Sequence, residues 1–223
     1  MKLNKLEKAL ISLPEIQAEK GVIQNEYHAF DVYGHTIEVV KFVKEKSTDS
    51  NLIAAAYLHD IGKPVTAKPR SYDGILQYDK QGNLRHIFPE HESVGEEMTR
   101  KINPNFFEKY ELNQNQISKL VGAHYLPMKG IQKMRKTQSF GEFIKAFKNL
   151  EETIDGTKLD RIALMNLFYA DTLGKGNSMD DEGELLQVKD LLIGEPSNSE
   201  FLPLYEIQKE KGQEKDWRYS EKN

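Results

Sequence analysis

The sequence predicts an all-α domain carrying one small β-hairpin, on three observations. Apolar residues recur at helical spacing through most of the chain. Two runs, Asn51 to Leu58 and Ile154 to Ala170, are apolar enough to form central core helices. A single stretch between Gly74 and Phe88 switches to β-prone residues around a polar turn.

Taken in order, Thr36 to Val43 separates apolar from basic residues onto different helical faces, with Ile37 and Val40 against Lys41 and, just beyond, Lys44. Asn51 to Leu58 is alanine-rich and apolar nearly all round, as a buried helix requires. Gly74 to Tyr78 and Leu84 to Phe88 flank the polar segment Asp79-Lys80-Gln81-Gly82-Asn83, a hairpin signature placed between two helices. Ser93 to Ile102 and Gln114 to His124 return to the amphipathic pattern, and Ile154 to Ala170 supplies Ile162, Leu164, Leu167 and Phe168 to a second core helix. After Gly194 the composition turns to Glu195-Pro196-Ser197-Asn198-Ser199-Glu200, an apolar cluster from Phe201 to Ile207, and then charge. Residues 1–194 are therefore expected to form one domain. Residues 195–223 read as a charged, frayed extension anchored, if anywhere, by Trp217.

Bulk properties narrow the function. The 223 residues are enough for a sizeable core. The formal net charge of -4 argues against a protein that binds nucleic acid by bulk electrostatics alone. No cysteine is present, which removes disulfides, thiolate metal sites and cysteine nucleophiles. The N-terminal residues are charged, and the longest nearly apolar run, Leu52 to Leu58, falls far short of the ~20 residues a bilayer span needs. A cytoplasmic protein without a membrane partner is expected.

Chemistry concentrates at His59-Asp60. Neighbouring side chains seldom meet except where a helix ends over a shared ligand, and an imidazole beside a carboxylate there suits a divalent ion. His35, His91, His124 and Asp171 are further candidate ligands. Any one of these histidines alone carries little information; the combination does. His35, His59, Asp60 and Asp171 make a mixed nitrogen and oxygen set suited to a divalent transition ion. His91 and His124 are expected to hold a second ion, with Asp60 bridging. A water between two such ions loses a proton near neutral pH and becomes a nucleophile. Manganese, iron, magnesium, nickel and zinc are all compatible with the donors.

Five segments carry a family resemblance: His28-Ala29-Phe30-Asp31-Val32-Tyr33-Gly34-His35-Thr36, Leu58-His59-Asp60-Ile61-Gly62-Lys63-Pro64, Phe88-Pro89-Glu90-His91-Glu92-Ser93-Val94-Gly95, His124-Tyr125-Leu126-Pro127 and Ala170-Asp171-Thr172-Leu173-Gly174. In this order they resemble the motifs of HD-domain phosphohydrolases, and among these the HD domains of bacterial tRNA nucleotidyltransferase-type proteins. The resemblance spans residues 25–180. It implies an HD-domain helical bundle with a hairpin insertion, and the metal ligands His35, His59, Asp60, His91, His124 and Asp171. No nucleotidyltransferase segment precedes the match, so a freestanding HD protein is expected, without tRNA tailing.

Other residues take supporting parts. Lys63 follows the metal pair by one helical turn and is a candidate for both catalysis and phosphate binding. Arg70, Lys129 and Arg135 are expected in loops near the ligands, as contacts for substrate phosphate. His28 and Asp31 are candidates to orient the His35 ring, and Gly62 and Gly95 to permit close packing.

The expected activity is a metal-dependent phosphomonoesterase or phosphodiesterase acting through an activated hydroxide on nucleotides or nucleic-acid phosphate ends. RNA ends bearing 2′,3′-cyclic, 2′- or 3′-phosphate fit the resemblance. The same six ligands also serve di-iron oxygenases of this fold, and a regulatory module binding a nucleotide without turnover is the third alternative. A guanosine-tetraphosphate hydrolase fits poorly, because the Glu-Asp pair that activity requires is missing from Ile61 to Arg70.

Overall fold

A computed structural model describes residues 2–25, 28–79, 82–145 and 158–176, together with 202, 205, 206, 209 and 210. Residues 154–157 of the predicted second core helix lie outside these, as do Trp217 and most of the charged extension. The chain divides into two compact units. One gathers Met1–His124 with Tyr169–Asp180; the other gathers Tyr125–Phe168 with Asp181–Asn223.

The first unit is built from short helices. They are α1 (Lys2–Ile11), α2 (Pro14–Gln17), α3 (Val32–Lys46), α4 (Ser50–Leu58) and α5 (Lys63–Thr66), then, past the β insertion, α6 (His91–Lys101), α7 (Pro104–Lys109) and α8 (Gln114–Ala123). Side-chain caps start several of them by accepting from orphan backbone N–H groups. Asp31 Oδ1 accepts from Gly34 N at 2.7 Å, Asp49 from Asn51 N at 2.9 Å and Asn113 from Gln116 N at 3.0 Å. As the alanine-rich run predicts, every residue of α4 from Leu52 to Leu58 is buried. Helix α4 packs against α1, α3 and α8, and α6 packs on α8 and α5.

In the insertion, local structure departs from the reading of the sequence. The predicted turn is present, with Tyr78 bridging Leu84 and Asp79 Oδ1 accepting from Asn83 N at 2.8 Å. The strands around it pair differently. β2 (Ser71–Tyr72) and β3 (Ile75–Leu76) close over a two-residue turn, Asp73-Gly74, whereas β1 (Lys68–Pro69) pairs with β4 (His86–Ile87). Asp73 and Gly74 both take positive φ, 48° and 78°, as a two-residue hairpin loop demands. Aspartate-glycine at this spacing was the available signal.

The second unit contains α9 (Leu126–Thr137), further helix at residues 140–145, and most of α10 (Lys158–Gly174), whose last turns belong to the first unit. Tyr205, from the C-terminal apolar cluster, packs its ring on Phe140 and Phe143 and donates its hydroxyl to Gln138 O at 2.7 Å. Among the described residues no helix is long and apolar enough to cross a membrane.

Gly62 positions the site through packing. A Cβ built there would lie 2.0 Å from the His91 carbonyl oxygen and 2.9 Å from Gly95 N, so only glycine lets α5 meet the start of α6. Gly62→Ala is expected to cost about 3 kcal/mol, which lowers the melting midpoint by roughly 6–12 °C. A midpoint equal to wild type would show that these two backbones do not touch.

Candidate metal centre

All six predicted ligands are buried, and all belong to the first unit. His35 stands on the first turn of α3, His59 caps the C-terminus of α4 with Asp60 next to it, His91 opens α6 and His124 caps α8. Asp171 lies within the last turn of α10 rather than after it. Helix ends are where this chain brings distant segments to one point.

Their ligand atoms form two triads. Those of His35, His59 and Asp171 lie within 4.8 Å of one another, and so do those of Asp60, His91 and His124. In the first triad His35 Nε2 is 2.9 Å from Asp171 Oδ1 and 3.3 Å from His59 Nε2. Asp60 joins the two. Its Oδ2 is 3.2 Å from His59 Nε2 and 3.5 Å from His35 Nε2, while its Oδ1 is 3.5 Å from His91 Nε2 and 3.8 Å from His124 Nε2.

Local backbone geometry aims three of the four rings. His59, His91 and His124 each direct Nδ1 at the carbonyl three residues earlier, Ala56 at 2.8 Å, Phe88 at 2.9 Å and Val121 at 2.7 Å. A ring that donates Nδ1–H to a carbonyl keeps the Nε2 lone pair for the centre, which is how a metal-binding imidazole is set.

The electrostatics ask for a cation. Burial alone would push the Asp60 carboxyl up, but His59, Lys63 and His35 together hold it well below the usual carboxylate range. Asp171 is also buried, which alone would raise its carboxyl, but His35 and Lys175 hold it low. Burial opposes charge on His59, yet Asp60 and Asp171 outweigh it and raise that imidazole. Burial lowers His35 and His91 and takes His124 down to about 3, so these rings stay neutral. Neither Asp60 oxygen has a hydrogen bond of proper angle. Two ionised carboxylates among imidazole nitrogens, most of them neutral, fit a divalent ion of borderline softness.

Lys63 is buried and turned inward. Its Nζ lies 2.6 Å from Asp60 Oδ2, donates to Gln24 Oε1 at 2.7 Å and sits 5.6 Å from the Phe88 ring centre. Gln24 was not singled out from the sequence, and neither was Glu19, which is fully buried and whose carboxyl is raised by burial and by Asp60. Only the helical offset of Glu19 from buried Ile16 hints at an inward position.

The other candidates separate. His28 lies edge-on to His35, ring centres 5.0 Å apart, and hydrogen-bonds through Nδ1 to Asn25 Oδ1 at 2.9 Å. Asp31 does not orient that ring: its two oxygens accept from Gly34 N and Gly21 N, each at 2.7 Å. Arg70 sits between β1 and β2. Lys129 and Arg135 are not in loops; both are on α9 in the second unit, Lys129 exposed with Nζ 5.9 Å from the Tyr125 ring centre, and Arg135 buried.

Two comparisons with known proteins bear on the chain. The family model described as HD domain matches residues 32–165. A stretch of 94 residues is 31% identical to an A-adding tRNA nucleotidyltransferase of Deinococcus radiodurans, covering 41% of this chain and 19% of that protein. The chain thus spans a minor part of the relative it matches.

A pH dependence follows from the buried rings. Burial, with Lys63 and His35 adding to it, drives His28 down to about 2. The unfolded chain takes up a proton on this ring near pH 6.5 and the folded chain does not, so folded stability declines as pH falls below 6.5. His124 acts in the same sense; raised His59 acts oppositely, adding stability below 6.5 that is lost as pH climbs through its folded value. In chelator-treated protein, His28→Asn should flatten the fall of the melting midpoint between about pH 6.5 and 4. A fall parallel to wild type would mean that His28 protonates freely in the folded state.

Proposed function

The chain belongs to the HD-domain family, within a superfamily of metal-dependent phosphohydrolases, and on that premise we propose that it hydrolyses phosphate esters at RNA ends. Substrates of this class carry a 2′,3′-cyclic, 2′- or 3′-phosphate; free nucleotides offer the same group in smaller form. The observation that carries the reading is the division of the two Asp60 oxygens between two ligand triads. A bridging carboxylate of this kind supports two divalent ions rather than one. Similarity to a tRNA nucleotidyltransferase supports an RNA substrate over a metabolite.

His35, His59 and Asp171 would hold one ion and His91 and His124 the other, with Asp60 shared. Ions held there would polarise the phosphoryl group and ease loss of a proton from water near neutral pH. The chain's own residues do the rest. Backbone carbonyls behind His59, His91 and His124 keep the ligand rings from turning. Lys63 pairs its charge with Asp60 and donates to Gln24, and a further N–H of its ammonium would meet an equatorial phosphate oxygen. Its charge then offsets negative charge as it builds on the phosphoryl oxygens. Arg70, Lys129 and Arg135 remain proposed phosphate contacts, Arg70 being the one in the same unit as the ligands.

Phosphate release is the direct test, run with manganese on nucleoside monophosphates, cyclic phosphates and phosphate-ended oligonucleotides. Wild type should release phosphate, and Asp60→Ala should lower the rate about 10³-fold or more. Silence from wild type across all five candidate metals would sink the hydrolase and turn attention to oxygen uptake by the iron-loaded protein. The metal count is a separate check: by elemental analysis His91→Ala should lose about one of two equivalents. Unchanged metal content would leave a single-ion centre.

A further inference from the structure

The β insertion exposes large apolar and aromatic side chains that the fold does not use. Tyr72 is 74% exposed, Ile75 69% and Tyr78 55%. Between Lys68 and Ile87 the sequence holds four basic residues and two acidic ones, in a chain whose acidic residues outnumber its basic ones overall. An element this small gains little stability from leaving such groups in water, so their exposure calls for a partner.

Register decides which of them act together. Lys68 pairs with Ile87 and Pro69 with His86, and Arg70 N donates to Arg85 O at 2.8 Å, so Arg70 stands opposite Arg85. Tyr72 stands opposite Ile75. Side chains alternate along an extended chain, which puts Lys68, Arg70 and Tyr72 on one face, with Arg85 and Ile75 beside them. Tyr78, bridged to Leu84, falls on the other face. One face therefore carries cation, cation and aromatic in sequence.

The root of the insertion is part of the metal centre. It leaves from α5, whose Lys63 contacts Asp60, and returns through Phe88, whose ring lies 5.6 Å from Lys63 Nζ and whose carbonyl holds the His91 ring. Chain extending outward from that root at about 3.3 Å per residue carries Tyr72 roughly 13 Å beyond Lys68. A mononucleotide bound at the centre would not need such an arm, whereas a strand leaving the centre would run along it.

We propose that this face of the insertion is a docking platform for single-stranded RNA, with a base stacked on Tyr72 and backbone phosphates drawn to Lys68, Arg70 and Arg85. The assignment rests on the phosphohydrolase reading for its choice of an RNA end. The cations argue against a second copy of the chain as occupant, since a two-fold contact would set like charges against each other. Alternation of aromatic and cationic groups is what sequence-tolerant single-strand binding uses.

The test is binding, kept apart from turnover. Anisotropy of a labelled RNA 3′-phosphate oligonucleotide is measured with wild type in chelator. Binding should weaken with salt, Tyr72→Ala should weaken it roughly tenfold, and Arg70→Ala should reduce the slope against log salt by about 0.7. Tyr78→Ala, on the opposite face, should leave it unchanged. Metal content and melting midpoint confirm that each variant is folded. Absence of RNA binding, equal binding of the matching DNA strand, an equal loss in Tyr78→Ala, or a dimer that Tyr72→Ala dissociates would each overturn the platform. RNA binding without phosphate release from any substrate would leave the platform standing and the hydrolase lost; release from mononucleotides without RNA binding would do the reverse.

Discussion

A carboxylate buried without hydrogen bonds is an expensive group, and Asp60 is the one around which this protein is arranged. Ionised and shut away from water, it must be met by positive charge or by a metal. Two helix ends and two helix starts bring imidazole nitrogens within 3.8 Å of its two oxygens, and Lys63 adds an ammonium at 2.6 Å. The neutral state of most of those rings keeps their lone pairs available. Asp60 is thus both costly to bury in isolation and the group that the two triads share.

Helix termini make this possible because they expose what a helix interior hides. A histidine just past the last turn finds the carbonyl three residues back unoccupied and uses it to fix its ring. His59 and His124 do so at the ends of α4 and α8, and His91 finds Phe88 O in the same way at the start of α6. The crossing of α5 and α6 at Gly62 then sets the separation between the His59-Asp60 and His91 segments. Rigid backbone contacts, rather than long flexible side chains, position the donors. Phe88 also ties the β insertion to this framework, so the element facing solvent and the buried centre share an anchor.

Legibility from sequence varied with the range of the interaction. The alanine-rich run predicted α4, and adjacency of His59 and Asp60 at its end predicted that the two would meet in one cluster, because both depend on near neighbours. The insertion was harder. The Asp79–Asn83 turn was read correctly, but the competing Asp73-Gly74 turn captured Ile75 and Leu76 for a different pairing. Asp31 looked like a partner for His35 by proximity, yet its oxygens were claimed by the backbone N–H groups of Gly34 and Gly21. Lys129 and Arg135, read as loop residues, lie on α9, where Pro127 occupies the first turn without breaking the helix.

The sequence by itself determined the family, the helical class and which six histidine and aspartate side chains to look for together, because each sits in a short motif whose chemistry is local. Only the tertiary structure decided how the donors divide, that Asp60 turns one oxygen to each triad, and that Lys63, Gln24 and Glu19 lie buried near it. Those facts depend on residues from distant parts of the chain meeting at helix ends. No periodicity or spacing encodes which oxygen of a carboxylate faces which ring; packing of α4 against α3 and α8 does.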